Sequence, residues 1–175
     1  MKRKIFTLLF FMVFLVQFVF SVEQGRELSN GFKEIIKSDM TFQWKVESNS
    51  LRIILSAPTE GWIAVGFNPS KIMKDADFKL VYVDGSTVHM EDHFGDGLFG
   101  HKIDDSLGGS QDFEIIQGKE EMGKTTVEFT IPLNSNDEFD KILAEGDVVK
   151  VLLAYGTRDD LNRKHKTRTS VEIKL

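Results

Sequence analysis

The 175-residue chain contains no cysteine. That absence excludes a thiol nucleophile, a cysteine-held iron–sulfur cluster, a cysteine-rich zinc site and covalent attachment of a c-type haem through C-x-x-C-H. It also denies the fold the disulfides that exported domains of this size often use. Core packing or a bound group must hold it instead. Tryptophan and tyrosine are scarce, two of each. Trp44, Trp62, Tyr82 and Tyr155 all fall in strand-like runs, which leaves few free rings to stack on a sugar. G-x-S-x-G, H-E-x-x-H and a glycine-rich phosphate loop are missing, and no Ser-His-Asp set stands out among the four histidines. These gaps argue against hydrolase chemistry and for a non-enzymatic module.

What is present first suggests export. Lys2, Arg3 and Lys4 precede an apolar run from Ile5 to Phe20, then Ser21 and a polar stretch. A basic start, an apolar stretch and a small residue at the exit predict a signal peptide over residues 1–21, with an uncleaved anchor as the alternative. Removing the three basic residues leaves 19 Lys and Arg against 27 Asp and Glu, a net charge near −8. Such a surface disfavours nucleic acid and anionic membrane. The remainder has the length of one domain. Beyond the possible N-terminal anchor, no membrane span is expected.

Residues 22–39 are polar and read as a lead-in. From residue 40 onward, period-two alternation dominates. Phe42, Trp44 and Val46 alternate with Gln43 and Lys45, and Val127, Phe129 and Ile131 alternate with Thr126, Glu128 and Thr130. "GWIAVGF" is apolar on both faces and predicts an inner strand. "KLVYVDG", "DVVKVLLAYG" and "TSVEIKL" predict further strands, and "KEEMGK" predicts the turn of a hairpin. Ser135 to Leu143 has capping-box spacing and one apolar face, which predicts a short helical turn. Many short strands separated by turns predict an all-β fold, an antiparallel β-sandwich of immunoglobulin-like type, over residues 40–175.

Two groups of side chains carry chemistry. His89 and His93 share one face of a strand, with His101 beyond a glycine-rich loop. A bulge would be needed to join them as a copper or zinc site, because each strand residue rises ~3.3 Å. His165 lies in "GTRDDLNRKHKTRTS", between two strands, and Met73 lies in the loop after "GWIAVGF". "GWIAVGF", Met73 and "ADF", followed by "VHMEDHFGDG", "TTVEFTIPLNSNDEFDKILAEGD" and "AYGTRDDLNRKH", resemble the succession of motifs in DOMON domains. The resemblance extends over about residues 40–175, and it is closest to the haem-binding branch typified by the cytochrome domain of cellobiose dehydrogenase.

That resemblance implies non-covalent haem b, with Met73 and His165 as axial iron ligands and single-electron transfer as the task. It implies Trp62 and Phe67 as walls of the haem site, and Arg158 and Lys166 as partners for its propionates. A separate redox partner protein follows from the same likeness. The loop around His165 is more basic than the family pattern, and His101 is the alternative ligand. A carbohydrate- or ligand-binding module without haem is the competing function.

Overall fold

The computed structural model describes residues 21–175, so the signal segment expected over residues 1–21 lies almost wholly outside the described residues. Twelve strands follow in chain order: β1 (Arg26–Glu27), β2 (Lys33–Lys37), β3 (Met40–Glu47), β4 (Ser50–Ala57), β5 (Ile63–Phe67), β6 (Asp77–Asp84), β7 (Thr87–Phe94), β8 (Lys102–Ile103), β9 (Glu114–Glu121), β10 (Lys124–Pro132), β11 (Val148–Tyr155) and β12 (Thr167–Lys174). They form two six-stranded sheets, ordered β1-β2-β3-β4-β10-β9 and β12-β11-β5-β6-β7-β8. All pairings between these strands are antiparallel. The expected all-β sandwich is what forms.

Alternation sets the core. Phe42 and Trp44 of β3, Leu51, Ile53 and Leu55 of β4, and Val127 and Phe129 of β10 turn inward from the first sheet. Ile63, Val65 and Phe67 of β5, Val81 and Val83 of β6, and Val149, Val151 and Leu153 of β11 meet them from the second. Burying each such side chain contributes ~1.5–3 kcal/mol. β5 is buried on both faces, as its unbroken apolar run requires. Its outer face lies under a second, smaller cluster of Trp62, Ala64, Phe78 and Leu80, against which Met73, Tyr82, Leu152, Ala154 and Leu161 pack. The second sheet thus has an outer floor as well as a core.

Three local expectations change. The lead-in is part of the sandwich: β1 and β2 extend the first sheet beside β3, with Ile35 opposite Phe42. The β9–β10 turn is shorter than "KEEMGK". Only Met122 and Gly123 sit between the strands, at φ 52° and 73°, the double left-handed pair of a tight hairpin. Residues 135–143 form no helix. Asp137 N donates to Ser135 Oγ, Asn136 N to Asn134 Oδ1 and Phe139 N to Asp137 Oδ1. These short polar side chains take up the backbone donors that a helix would need. Among the described residues the one helical turn is 3₁₀, at Asp104–Ser106.

One end of the sandwich is closed by charge. Lys79 points inward from β6 and is almost wholly buried. Its ammonium donates to Asp77 Oδ1 at 2.7 Å, to Asp140 Oδ1 at 3.1 Å, and to Asp92 of β7. The three carboxylates converge as they would around a metal ion, and Lys79 Nζ is the cation they meet. Asp92 also accepts from Asp112 N at 3.1 Å, and Asp77 from Lys141 N at 3.3 Å. Burial would lower the Lys79 pKa, but the surrounding carboxylates outweigh it and hold the ammonium charged. Burial pushes Asp92 up to about 8 against the pull of Lys79, with Asp77 adding repulsion. It pushes the nearby Asp104, whose buried carboxylate oxygens have no partner, up to about 7.

Stability therefore depends on pH with a definite sign. In the native state Asp92 and Asp104 keep protons that the unfolded chain, with carboxyl values near 3.8, has already released. The native state binds more protons, so stability falls as pH rises through this range. His101, held down to about 4, acts in the opposite sense only at lower pH, between its native value and 6.5. Between about pH 7 and about pH 8 the expected loss is about 1 kcal/mol, measurable by urea unfolding at each pH. Asp92→Asn should flatten most of that slope.

Candidate functional site

Two loops rise over the outer floor of the second sheet. The first, residues 68–76, leaves β5 and carries Met73. Asn68, Ile72 and Asp75 have φ of 45°, 58° and 60°, a conformation costly for non-glycine residues and above all for β-branched Ile72. Hydrogen bonds hold it. Ser70 N donates to Lys74 O at 2.9 Å, Asp75 N to Gly95 O at 2.7 Å, and Gly95 N to Ala76 O at 2.8 Å. Gly95 has a steric role too: a Cβ there would lie 1.9 Å from Met73 O. Asp75 accepts from Ser70 Oγ and so shapes the loop. Asp77 belongs to the Lys79 cluster.

The second loop, residues 156–166, joins β11 to β12 and carries His165. It is pinned to the start of β5 by Gly156 N on Trp62 O at 2.8 Å, Trp62 N on Arg158 O at 3.2 Å and Thr59 Oγ1 on Gly156 O at 2.6 Å. At its far end Lys166 N donates to Tyr155 O at 2.8 Å. Strand β5 thus anchors both loops, one at each end. The sequence separates Met73 from His165, and the fold sets them over the same strands.

Between the loops lie two adjoining cavities of about 300 and 950 Å³. Met73 and His165 line both. Phe78, Leu152 and Ala154 floor the smaller, while Trp62, Phe99 and Leu161 line the larger with Arg163, Lys164, Lys166 and Arg168 at its rim. Phe78 lies over Gly66 of the paired strand, where a Cβ would stand 2.4 Å from its ring. Burial and the neighbouring Arg168 lower the His165 pKa, so its imidazole is neutral near pH 7. Arg168 Nη1 donates to His165 Nε2 at 3.4 Å, which assigns Nε2 the lone pair.

The predicted site residues divide. Trp62 lines the larger cavity, and its buried indole N–H has no partner. Lys166 is at the same rim, with its ammonium 5.8 Å from the Tyr155 ring centre. Arg158 faces a side pocket with Trp62, Arg163 and Lys164. Phe67 does not line the site. It ends β5 on the inner face, fully buried in the inter-sheet core, because odd-numbered residues of this strand point inward. His101 lines the larger cavity beside His93, whereas His89 stacks on Tyr82 with ring centres 4.7 Å apart. The sequence reading overlooked Leu152 and Ala154. Both belong to a strand read only as buried, and their face is covered by loops rather than by the other sheet.

A family model for the DOMON domain matches residues 36–156. The chain belongs to the DOMON family. Within it, this DOMON domain is 26% identical over 137 residues to DBH-like monooxygenase protein 2 of Mus musculus, covering 76% of the present chain. It spans only about a fifth of that relative's length (21%). Two solved structures share the fold. The cytochrome b domain of pyranose dehydrogenase from Coprinopsis cinerea superposes with a TM-score of 0.59 at 12% identity, covering 81% of each chain. The cytochrome domain of Myriococcum thermophilum cellobiose dehydrogenase gives 0.57 at 11%, covering 83% of this chain and 85% of that one.

Gly95 offers a way to disturb Met73 without touching it. Gly95→Ala drives a methyl group into the Met73 carbonyl, and backbone must move to admit it. The expected outcome is a displaced Met73 loop and a lower midpoint of urea unfolding than the wild type, read by comparing the two unfolding curves.

Proposed function

We propose that this domain is exported and passes single electrons, holding haem b non-covalently between Met73 and His165. The observation that carries the reading is that these two side chains, from loops anchored at opposite ends of β5, line the same pair of cavities. The surroundings suit the group. The floor of Phe78, Leu152 and Ala154 is apolar, as a porphyrin face requires, and the rim is cationic, as propionates require. The unpaired Trp62 N–H is a further donor for a carboxylate.

Haem bound there would supply a one-electron iron couple, and thioether and imidazole ligation together would raise its potential. The chain's own groups would do the rest. His165 would offer a neutral Nε2 lone pair once Arg168, which donates to it, turns aside, and Met73 a soft uncharged sulfur. If both residues bound the iron, they would leave it no open position for oxygen or substrate, and electron exchange would be the task that suits the site. Arg163, Lys164 and Arg168 at the rim give an acidic redox partner a surface to approach. Among the described residues no helix is long and apolar enough to cross a membrane.

Met73→His tests the role of the thioether. Replacing sulfur by imidazole should keep haem bound and lower the reduction potential by at least ~0.1 V, within the ~0.8 V span that axial ligands command. Spectroelectrochemistry of wild type and variant gives the difference. An unchanged potential would remove Met73 from the iron.

A further inference from the structure

The larger cavity contains a second pair of imidazoles, for which electron transfer by haem has no use. His93, on β7, and His101, after the glycine-rich loop of residues 95–100, face each other with Nδ1 to Nδ1 at 2.9 Å. Their rings meet edge-on, centres 4.8 Å apart and planes at 70°. Glu91 Oε2 stands 2.8 Å from His93 Nε2 and accepts a hydrogen bond from its N–H. His93 Nδ1 therefore carries a lone pair, and His101 Nδ1 donates to it. If the His101 proton moves to Nε2, with no change of charge, two imidazole lone pairs are free to point at one position.

We propose that His93 Nδ1 and His101 Nδ1 bind a divalent transition-metal ion, Cu(II) in preference to Zn(II). The 2.9 Å between the two nitrogens is a hydrogen-bond length, and it brings the imidazoles close enough to share one ion once the rings turn. Tetragonal nitrogen and oxygen sites suit Cu(II), which also binds most tightly of the first-row divalent ions. Convergence requires the rings to swing towards the cavity, and His101 is only partly buried.

The outer shell is already in place. The Glu91 carboxylate on the far nitrogen of His93 is the usual orienting partner of a metal-bound imidazole. Phe78 packs on the His101 ring at 5.7 Å between centres. Asp96, close enough for its charge to act on His101 and paired with Lys102 at 3.0 Å, and water are available for the remaining positions. Neither Met73 nor His165 takes part, so this inference stands apart from the haem reading.

Titration of the haem-free protein with Cu(II), followed by calorimetry and electron paramagnetic resonance, tests it. The expected result is one ion per chain, a tetragonal signal with coupling to two nitrogens, and Zn(II) binding at least ~10-fold weaker. His101→Asn should abolish stoichiometric binding, Glu91→Gln should weaken it by ~10–100-fold, and His89→Asn should leave it unchanged. His93 is buried, so if His93→Asn unfolds the chain, His101→Asn and Glu91→Gln decide. Absence of stoichiometric binding, undiminished binding in His101→Asn, or loss in His165→Asn instead would overturn the proposal. Haemin binding by the same preparation is measured separately, so failure of one site is not read as failure of the other.

Discussion

Lys79→Met should destabilise the domain by about 3–5 kcal/mol at neutral pH, the largest effect on stability expected of any single replacement considered. The variant keeps the length of the side chain and removes the charge. Asp77, Asp92 and Asp140 would then face one another in the interior without a cation. Removing one partner of a buried ion pair leaves the other charge uncompensated, which costs far more than the intact pair contributes. The remedy open to the carboxylates is to take up protons. The loss should therefore shrink as pH falls towards 5, and Lys79→Met combined with Asp140→Asn should recover part of it. Urea unfolding of the three proteins at two pH values checks the pattern. A loss below ~1 kcal/mol at neutral pH would mean that the cluster contributes little.

The effect should reach the site. Lys79 faces the core from β6, but its neighbour Phe78 faces the cavity floor, and Asp77 and Asp92 lie on paired strands that end beside the Met73 loop. Loosening that end of the sheet should loosen the floor of the cavity.

The second large effect concerns the two proposed ligands, Met73 and His165. Replacing His165 by Ala should lower haem affinity by at least ~100-fold, and replacing Met73 by Ala by about 10-fold, or ~1.4 kcal/mol. The order follows from the chemistry. Imidazole nitrogen is a strong donor to either oxidation state of iron, whereas thioether is a soft donor that favours the reduced state. Met73→Ala should accordingly weaken the reduced complex more than the oxidised one. Neither replacement reaches the core between the sheets: Met73 packs only on the outer cluster, both residues are partly buried, and both sit in loops. Their thermal unfolding without haem should stay close to that of the wild type.

The sandwich was legible because alternation survives wherever one strand face meets the core. Val127, Phe129 and Ile131 announce β10, and the unbroken "IAVGF" announces a strand covered on both sides. That Met73 and His165 share one pair of cavities was legible only through the order of motifs around them, since nothing in a single loop reveals what the other loop brings. Lys79 was not. A lysine that opens an apolar strand reads as its solvated edge, and the three carboxylates that neutralise it come from β6, β7 and the segment before β11. Phe67 was misplaced for a related reason. In a strand apolar on both faces, composition does not say which residues face the core and which the cavity. The capping-box spacing at Ser135 and Glu138 misled because Ser, Asn and Asp side chains there satisfy the backbone in turns.

Haemin titration of the protein, followed by the absorption spectrum of the reduced complex, reads whether Met73 and His165 hold an iron porphyrin as proposed, with His165→Gly and added imidazole as the third arm. One haem per chain and sharp, resolved bands of six-coordinate iron are expected, lost in His165→Gly and restored when free imidazole takes the place of the missing side chain. Failure of the wild type to bind haem, or an unaltered spectrum in both Met73→Ala and His165→Gly, would contradict that proposal.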